Sequence, residues 1–125
     1  MEFSSQQIGD VTLIRVSGRI DHKSVKDFEI ALMPFLETPD PGADAAIIMD
    51  LEGLEFLTSA GLRMLMIAAK TCKKQKRAIG VAALQPVVQE IFTISRFDLV
   101  LKVFPTVQDA LETFSPAALK AYKSL

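Results

Sequence analysis

The sequence predicts an α/β fold: a mixed sheet of four to five strands, mostly parallel with an antiparallel amino-terminal edge, covered by four to five helices. Three observations predict it. Short β-branched or continuous apolar runs alternate with segments of helical period in the order β-β-α-β-α-β-α-β, the pattern of strands joined by helical crossovers. The first two runs have only Gly9-Asp10 between them, a turn signal of the length an antiparallel pair needs. The chain has 125 residues, half of them hydrophobic and 23% charged, which gives room for one core. Residues 1–125 are therefore read as one domain, with 116–125 as a carboxy-terminal helical extension.

Val11-Thr12-Leu13-Ile14-Arg15-Val16-Ser17 is rich in β-branched residues and reads as a strand ending at Gly18, with Phe3–Ile8 as its hairpin partner. Ser24-Val25-Lys26-Asp27 fits a capping box, so a helix is expected from there. Val25, Phe28, Ala31, Leu32, Phe35 and Leu36 recur along it at helical spacing. Thr38-Pro39-Asp40-Pro41-Gly42 stops that helix. Ala45–Met49 is a continuous apolar run, as expected for a strand buried on both faces, and Asp50 ends it.

The loop Leu51–Ser59 then leads into a helix from about Ser59 to Lys76. Its apolar stripe is read as Leu62, Leu65, Met66, Ala69 and Cys72. The cations Arg63, Lys70, Lys73, Lys74 and Lys76 gather toward its carboxyl end, where they suit the helix dipole, and are read as a solvated helix end. Ala78–Ala82 is the next strand, Pro86–Ser95 a helix, and Leu99–Val103 the last strand. Thr106-Val107-Gln108-Asp109 caps another helix, and Ser115-Pro116 opens the last one over Ala117–Tyr122.

Composition excludes several classes of function. A net charge of −1 gives no basic excess for gripping nucleic acid or an anionic bilayer, so neither direct nucleic-acid binding nor membrane insertion is expected. Mean hydropathy is +0.29, yet no apolar stretch approaches the roughly 20 residues a membrane span requires. Met1–Gln6 lacks the positive region and apolar run of a secretory signal, so a cytoplasmic location is expected. A lone Cys72 and a lone His22 supply neither a disulfide nor a zinc site of the usual kind, and no cofactor or metal is expected.

In an open α/β sheet, functional groups collect beyond the carboxyl ends of the strands. That edge holds Asp21, Asp50 and the helix start at Leu57-Thr58-Ser59-Ala60-Gly61, where free amides and the dipole favour negative charge. Thr58 and Ser59 also read as simple N-caps, and Asp21 and Asp50 as strand-end residues bonded to nearby amides. No nucleophile–base pair or Gly-rich phosphate loop is visible, so the chain is not read as an enzyme. His22 sits at a helix entrance as an exposed turn residue, and Cys72 reads as a small core hydrophobe. Met64 and Ile67 fall off the inner stripe, which leaves two readings: the helix is deeply covered, or a partner docks there.

Gly18-Arg19-Ile20-Asp21, Ala46-Ile47-Ile48-Met49-Asp50-Leu51 and Phe56-Leu57-Thr58-Ser59-Ala60-Gly61-Leu62 together resemble the STAS domain of bacterial anti-anti-sigma factors, the anti-sigma factor antagonists. The resemblance runs from about Met1 to Phe114. It implies a regulatory serine at the start of the second helix, which by position in the motif is Ser59, with Asp21 as the neighbouring acidic group. Family members bind an anti-sigma serine/threonine kinase, which phosphorylates that serine and ends the interaction, and a serine phosphatase restores it. The unmodified antagonist captures the anti-sigma factor and frees a sigma factor for transcription. This chain departs from the pattern at Thr58, where many relatives carry Asp; that substitution adds a second hydroxyl and makes Thr58 the second choice for modification. Arg63, Met64, Ile67 and His22 are the expected partner-binding residues. The alternative is a STAS scaffold subunit of a transport or stress-signalling complex that uses the same helix face without phosphorylation.

Overall fold

Residues 1–37 and 46–125 are described by the structure, a computed structural model. The predicted stop Thr38–Gly42 and Ala45 lie outside the described residues. Strands β1 (Glu2–Ile8) and β2 (Val11–Ile20) pair antiparallel from Glu2↔Ser17 to Ile8↔Val11, as the Gly9-Asp10 turn predicts. β2 does not end at Gly18. Gly18 takes a φ of +86°, which only glycine adopts at little cost, and the pairing shifts register between Gly18 and Arg19. The strand then continues to Ile20 and pairs in parallel with β4 (Leu54–Leu57). β4 falls within the predicted loop Leu51–Ser59, because four residues are too few for a period of two to show.

The remaining elements are α1 (Val25–Leu36), β3 (Ala46–Asp50), α2 (Ser59–Lys74), β5 (Ala78–Ala82), α3 (Pro86–Ile94), β6 (Lys102–Phe104), α4 (Val107–Phe114) and α5 (Pro116–Lys123). The sheet order is β1-β2-β3-β5-β6, with β4 attached to β2. All pairings except β1–β2 are parallel. The predicted mixed sheet with an antiparallel amino-terminal edge is therefore present, with six strands rather than four to five. The last strand lies further along the chain than Leu99–Val103: Phe97–Leu99 forms a 3-10 turn, Leu99 is exposed, and only Lys102–Phe104 pairs with Gly80–Ala82. An apolar run marked this segment as a strand, but most of it faces solvent.

Alternation along the strands divides the interior in two. Ile14 and Val16 of β2 and Ile47 and Met49 of β3 join the core beneath α1, α2 and α3, with Phe28, Leu65 and Phe92. Val11, Leu13, Ala46 and Ile48 point the other way, into the core beneath α4 and α5 with Leu111 and Ala118. Burial on both faces is why β3 reads as a continuous apolar run. The terminal helix α5 packs on this second core: Ala118 is fully buried, and Ser115 Oγ donates to Asp10 Oδ1 at 2.6 Å while accepting from the Ala118 amide at 3.2 Å. No helix among the described residues is long and apolar enough to cross a membrane.

Candidate functional site at the start of helix α2

The segment from β4 to the first turn of α2 is held against the end of β2. The Thr58 amide donates to the Ile20 carbonyl at 2.9 Å. Gly61 allows the helix to approach: a Cβ there would lie 3.0 Å from Ile20 Cγ2 and 3.3 Å from Leu57 Cβ. Beside this junction the Arg19 guanidinium stacks 4.8 Å above the Phe56 ring, linking β2 to β4. That contact was not legible in the sequence, since it depends on the unpredicted β2–β4 pairing.

The two adjacent hydroxyls of the motif have different surroundings. Thr58 is the N-cap, extended at φ −85° and ψ 172°, and its Oγ1 accepts from the Gly61 amide at 3.4 Å. Ser59 is the first residue of α2, is exposed, and makes no side-chain hydrogen bond among the described residues. It lines a shallow pocket of about 280 Å3 with Ala60 and Arg63. Thr58→Ala should therefore lower stability by about 0.5–1 kcal/mol, the low end for a cap because the bond is long. Ser59→Ala should change it by less than about 0.5 kcal/mol. Thermal melts of the two variants check this; equal losses would contradict the division.

Asp21 follows β2 and organises the start of α1. Its Oδ1 accepts from the Lys23 amide at 3.0 Å, the Ser24 amide at 3.1 Å and the Ser24 hydroxyl at 3.2 Å. Ser24 Oγ also donates to the Arg19 carbonyl at 2.8 Å and accepts from the Asp21 amide at 3.0 Å. This corrects the predicted capping box. Ser24 has helical dihedrals and no side-chain cap bond; its hydroxyl folds back onto the preceding loop, and Asp21 holds the turn before α1 through the Lys23 and Ser24 amides.

The Lys23 amide does most to hold the Asp21 carboxyl below its ordinary pKa; burial, the next largest effect, opposes it, and the Ser24 amide and hydroxyl and the neighbouring His22 lower it further. A depressed carboxylate pKa stabilises the fold above the unfolded-state pKa, and that contribution is lost as pH falls through the folded-state value. Urea midpoints of the wild type and Asp21→Asn should differ at neutral pH and converge on acidification. A gap that widens in acid would contradict the assignment.

Asp50 stands at the carboxyl end of β3, as expected, and among the described residues its side chain bonds to Arg15 and Glu52. It continues the alternation of Ala46 and Ile48, toward α4 and α5, and lines a cavity there with Thr106, Val107 and Tyr122. Its Oδ2 lies 3.7 Å from Arg15 Nε, and its Oδ1 accepts from the Glu52 amide at 3.1 Å. Arg15 is its register partner across β2 and β3. The period of two along β3 could have shown which face Asp50 takes, although a run buried on both faces masks it.

Met64 is also corrected. It is 5% exposed and packs in the core with Leu65, Ala68 and Cys72, so it cannot meet a partner. The buried face of α2 is Gly61, Met64, Leu65, Ala68 and Cys72, rotated from the predicted stripe; Leu62, Met66 and Ala69 are only partly buried. The helix is apolar over most of its circumference, and the phase of its inner face is poorly set by hydrophobicity alone. Arg63 and Ile67 remain on the outside, with Ile67 41% exposed, and His22 is exposed beside Asp21.

The family model of the STAS domain matches residues 2–110. The chain is 24% identical over 124 residues to BtrV of Bordetella bronchiseptica, which bears the name of an anti-sigma factor antagonist, covering 99% of this chain and 97% of that protein. The crystal structure of an anti-sigma factor antagonist from Mycobacterium paratuberculosis superposes with a TM-score of 0.79 at 26% identity, over 90% of this chain and 92% of that one. SpoIIAA of Bacillus, an anti-sigma factor antagonist in its unphosphorylated form, superposes with a TM-score of 0.72 at 19% identity, over 90% and 95%.

Proposed function

The chain belongs to the STAS domain family, and on that premise we propose that it is an anti-sigma factor antagonist that captures an anti-sigma serine/threonine kinase and is switched off by phosphorylation of Ser59. The protein acts by binding rather than by catalysis, in the cytoplasm, and its capture of the kinase frees a sigma factor for transcription. A serine phosphatase returns it to the binding state. The observation that carries this reading is the difference between two neighbouring hydroxyls. Thr58 Oγ1 is engaged in the helix cap, while Ser59 is exposed and uncommitted at the first position of α2.

The chemistry suits that place. In the transfer, Ser59 Oγ attacks the γ-phosphorus of ATP, ADP leaves and the hydroxyl proton passes to the kinase. The product adds about −1.5 to −2 charges. At the first turn of a helix such a charge meets free amides and the positive end of the dipole, so the domain accommodates it without refolding. A partner packed over the same turn meets a new, strongly hydrated anion and loses its contacts.

The test is in vitro phosphorylation by each purified anti-sigma serine/threonine kinase of the source organism, followed by peptide mass mapping. One of them should place a single phosphoryl group on Ser59. Thr58→Val should still be modified and Ser59→Ala should not. Modification of Thr58 instead, or of neither residue, would overturn the assignment.

A further inference from the structure

The outer face of α2 carries a charge pattern that the fold does not use. Ser59, Arg63, Ile67, Lys70 and Lys74 recur at helical spacing and form one exposed stripe opposite the buried Gly61, Met64, Leu65, Ala68 and Cys72. The charged residues of α2 are Arg63, Lys70, Lys73 and Lys74, all cationic and exposed, in a chain whose net charge is −1. None of them joins an ion pair among the described residues, where the pairs are Arg15–Asp50 and Lys26–Glu29.

The helix dipole accounts for only part of this arrangement. Lys73 and Lys74 lie in the last turn, where a cation is favoured. Arg63 lies near the positive amino end, and Lys70 precedes the last turn while opposing Lys74 as a like charge four residues away. Helix stability alone would select neither.

We propose that the stripe Arg63–Ile67–Lys70–Lys74 is a docking strip for an acidic surface of the anti-sigma partner, with Ile67 as its apolar centre. This rests on the reading of the chain as an antagonist, and charge complementarity selects the occupant. A helix that carries exposed cations and no acidic residue, in a chain of net charge −1, steers an acidic protein surface to that face. The exposed Ile67 in their midst asks for an apolar socket, which a protein supplies and a phosphate backbone does not. The strip also connects to the switch. Arg63 lies one turn after Ser59 and lines the same pocket, so a phosphoryl group on Ser59 pairs with Arg63 and neutralises the head of the strip.

The experiment measures association of the kinase that phosphorylates Ser59 with the wild type, Lys70→Gln/Lys74→Gln and Lys70→Glu/Lys74→Glu, by stopped flow and calorimetry between low and high salt. The charge-reversed variant should associate at least about tenfold more slowly at low salt, and the neutral variant should fall between. The wild type should weaken steeply with added salt and the reversed variant only slightly. Circular dichroism should be unchanged, since both lysines are exposed. A reversed variant that binds like the wild type and is still phosphorylated on Ser59 would overturn the strip and leave the switch standing. A wild type that no such kinase binds would overturn both. Vesicles of phosphatidylserine and phosphatidylcholine, and duplex DNA, should not bind at physiological salt. Binding of either that is lost on charge reversal would reassign the strip and overturn the proposal.

Discussion

Phosphorylation of Ser59 is expected to weaken capture of the anti-sigma kinase by about 100-fold or more, equivalent to about 2.8 kcal/mol. Ser59→Asp should reproduce part of that loss and Ser59→Ala none of it. The magnitude follows from where the charge is placed. Ser59 is exposed on the first turn of α2, and that turn is fixed to the sheet by the Thr58–Ile20 hydrogen bond and the close packing of Gly61 on Ile20. A partner docked over a rigid turn cannot be relieved by the loop moving away, so the interface must desolvate the new anion or dissociate. Aspartate carries less charge on a shorter, differently shaped group, which limits the mimicry. Calorimetric titration of the kinase with the four forms decides the matter, and equal affinities for Ser59→Asp and Ser59→Ala would refute the switch.

Met64→Ala is expected to cost about 2–4 kcal/mol of stability, while Ile67→Ala costs less than about 0.5 kcal/mol. The two residues lie three apart on one helix and differ in what surrounds them. Met64 is 5% exposed, within a core that includes Leu65 and Ala68. Its truncation removes transfer free energy and leaves a cavity that a sheet-backed core fills poorly. Ile67 is 41% exposed and loses little on truncation. Urea unfolding at constant m-value measures the first effect, and binding to the kinase measures the second, with Ile67→Ala lowering affinity while the fold is unchanged. A Met64→Ala midpoint equal to that of the wild type would place this side chain outside the core after all.

Much of the architecture was legible in the chain because local signals agreed with one another. The Gly9-Asp10 turn, the apolar run through Met49, the caps at Thr106 and Ser115 and the proline at position 116 each describe their element. The start of α2 was legible for the same reason: Thr58 caps locally, and the position of Ser59 follows from it. The misplaced features share a different origin. β4 forms because β2 runs on past its pairing with β3, which ends at Arg15↔Asp50, and takes Leu54–Leu57 as a parallel partner. The last strand lies later than its apolar run because pairing with Gly80–Ala82, rather than hydrophobicity, selects Lys102–Phe104.

By itself, the sequence determined the mixed α/β class, the antiparallel edge, the order of the principal helices and strands, and the Thr58-Ser59 motif at a helix start. Those features depend on capping, turn chemistry and hydrophobic period, which act over a few residues. Only the tertiary structure decided the rotation of α2, which buries Met64 while leaving Ile67 exposed, and the pairing of Asp50 with Arg15 across β2 and β3. A helix apolar over most of its circumference can satisfy the hydrophobic effect in several rotations, and a strand buried on both faces hides its own alternation. In both cases the choice was made by packing against residues distant in sequence, such as Ile20 against Gly61 and Arg15 beside Asp50.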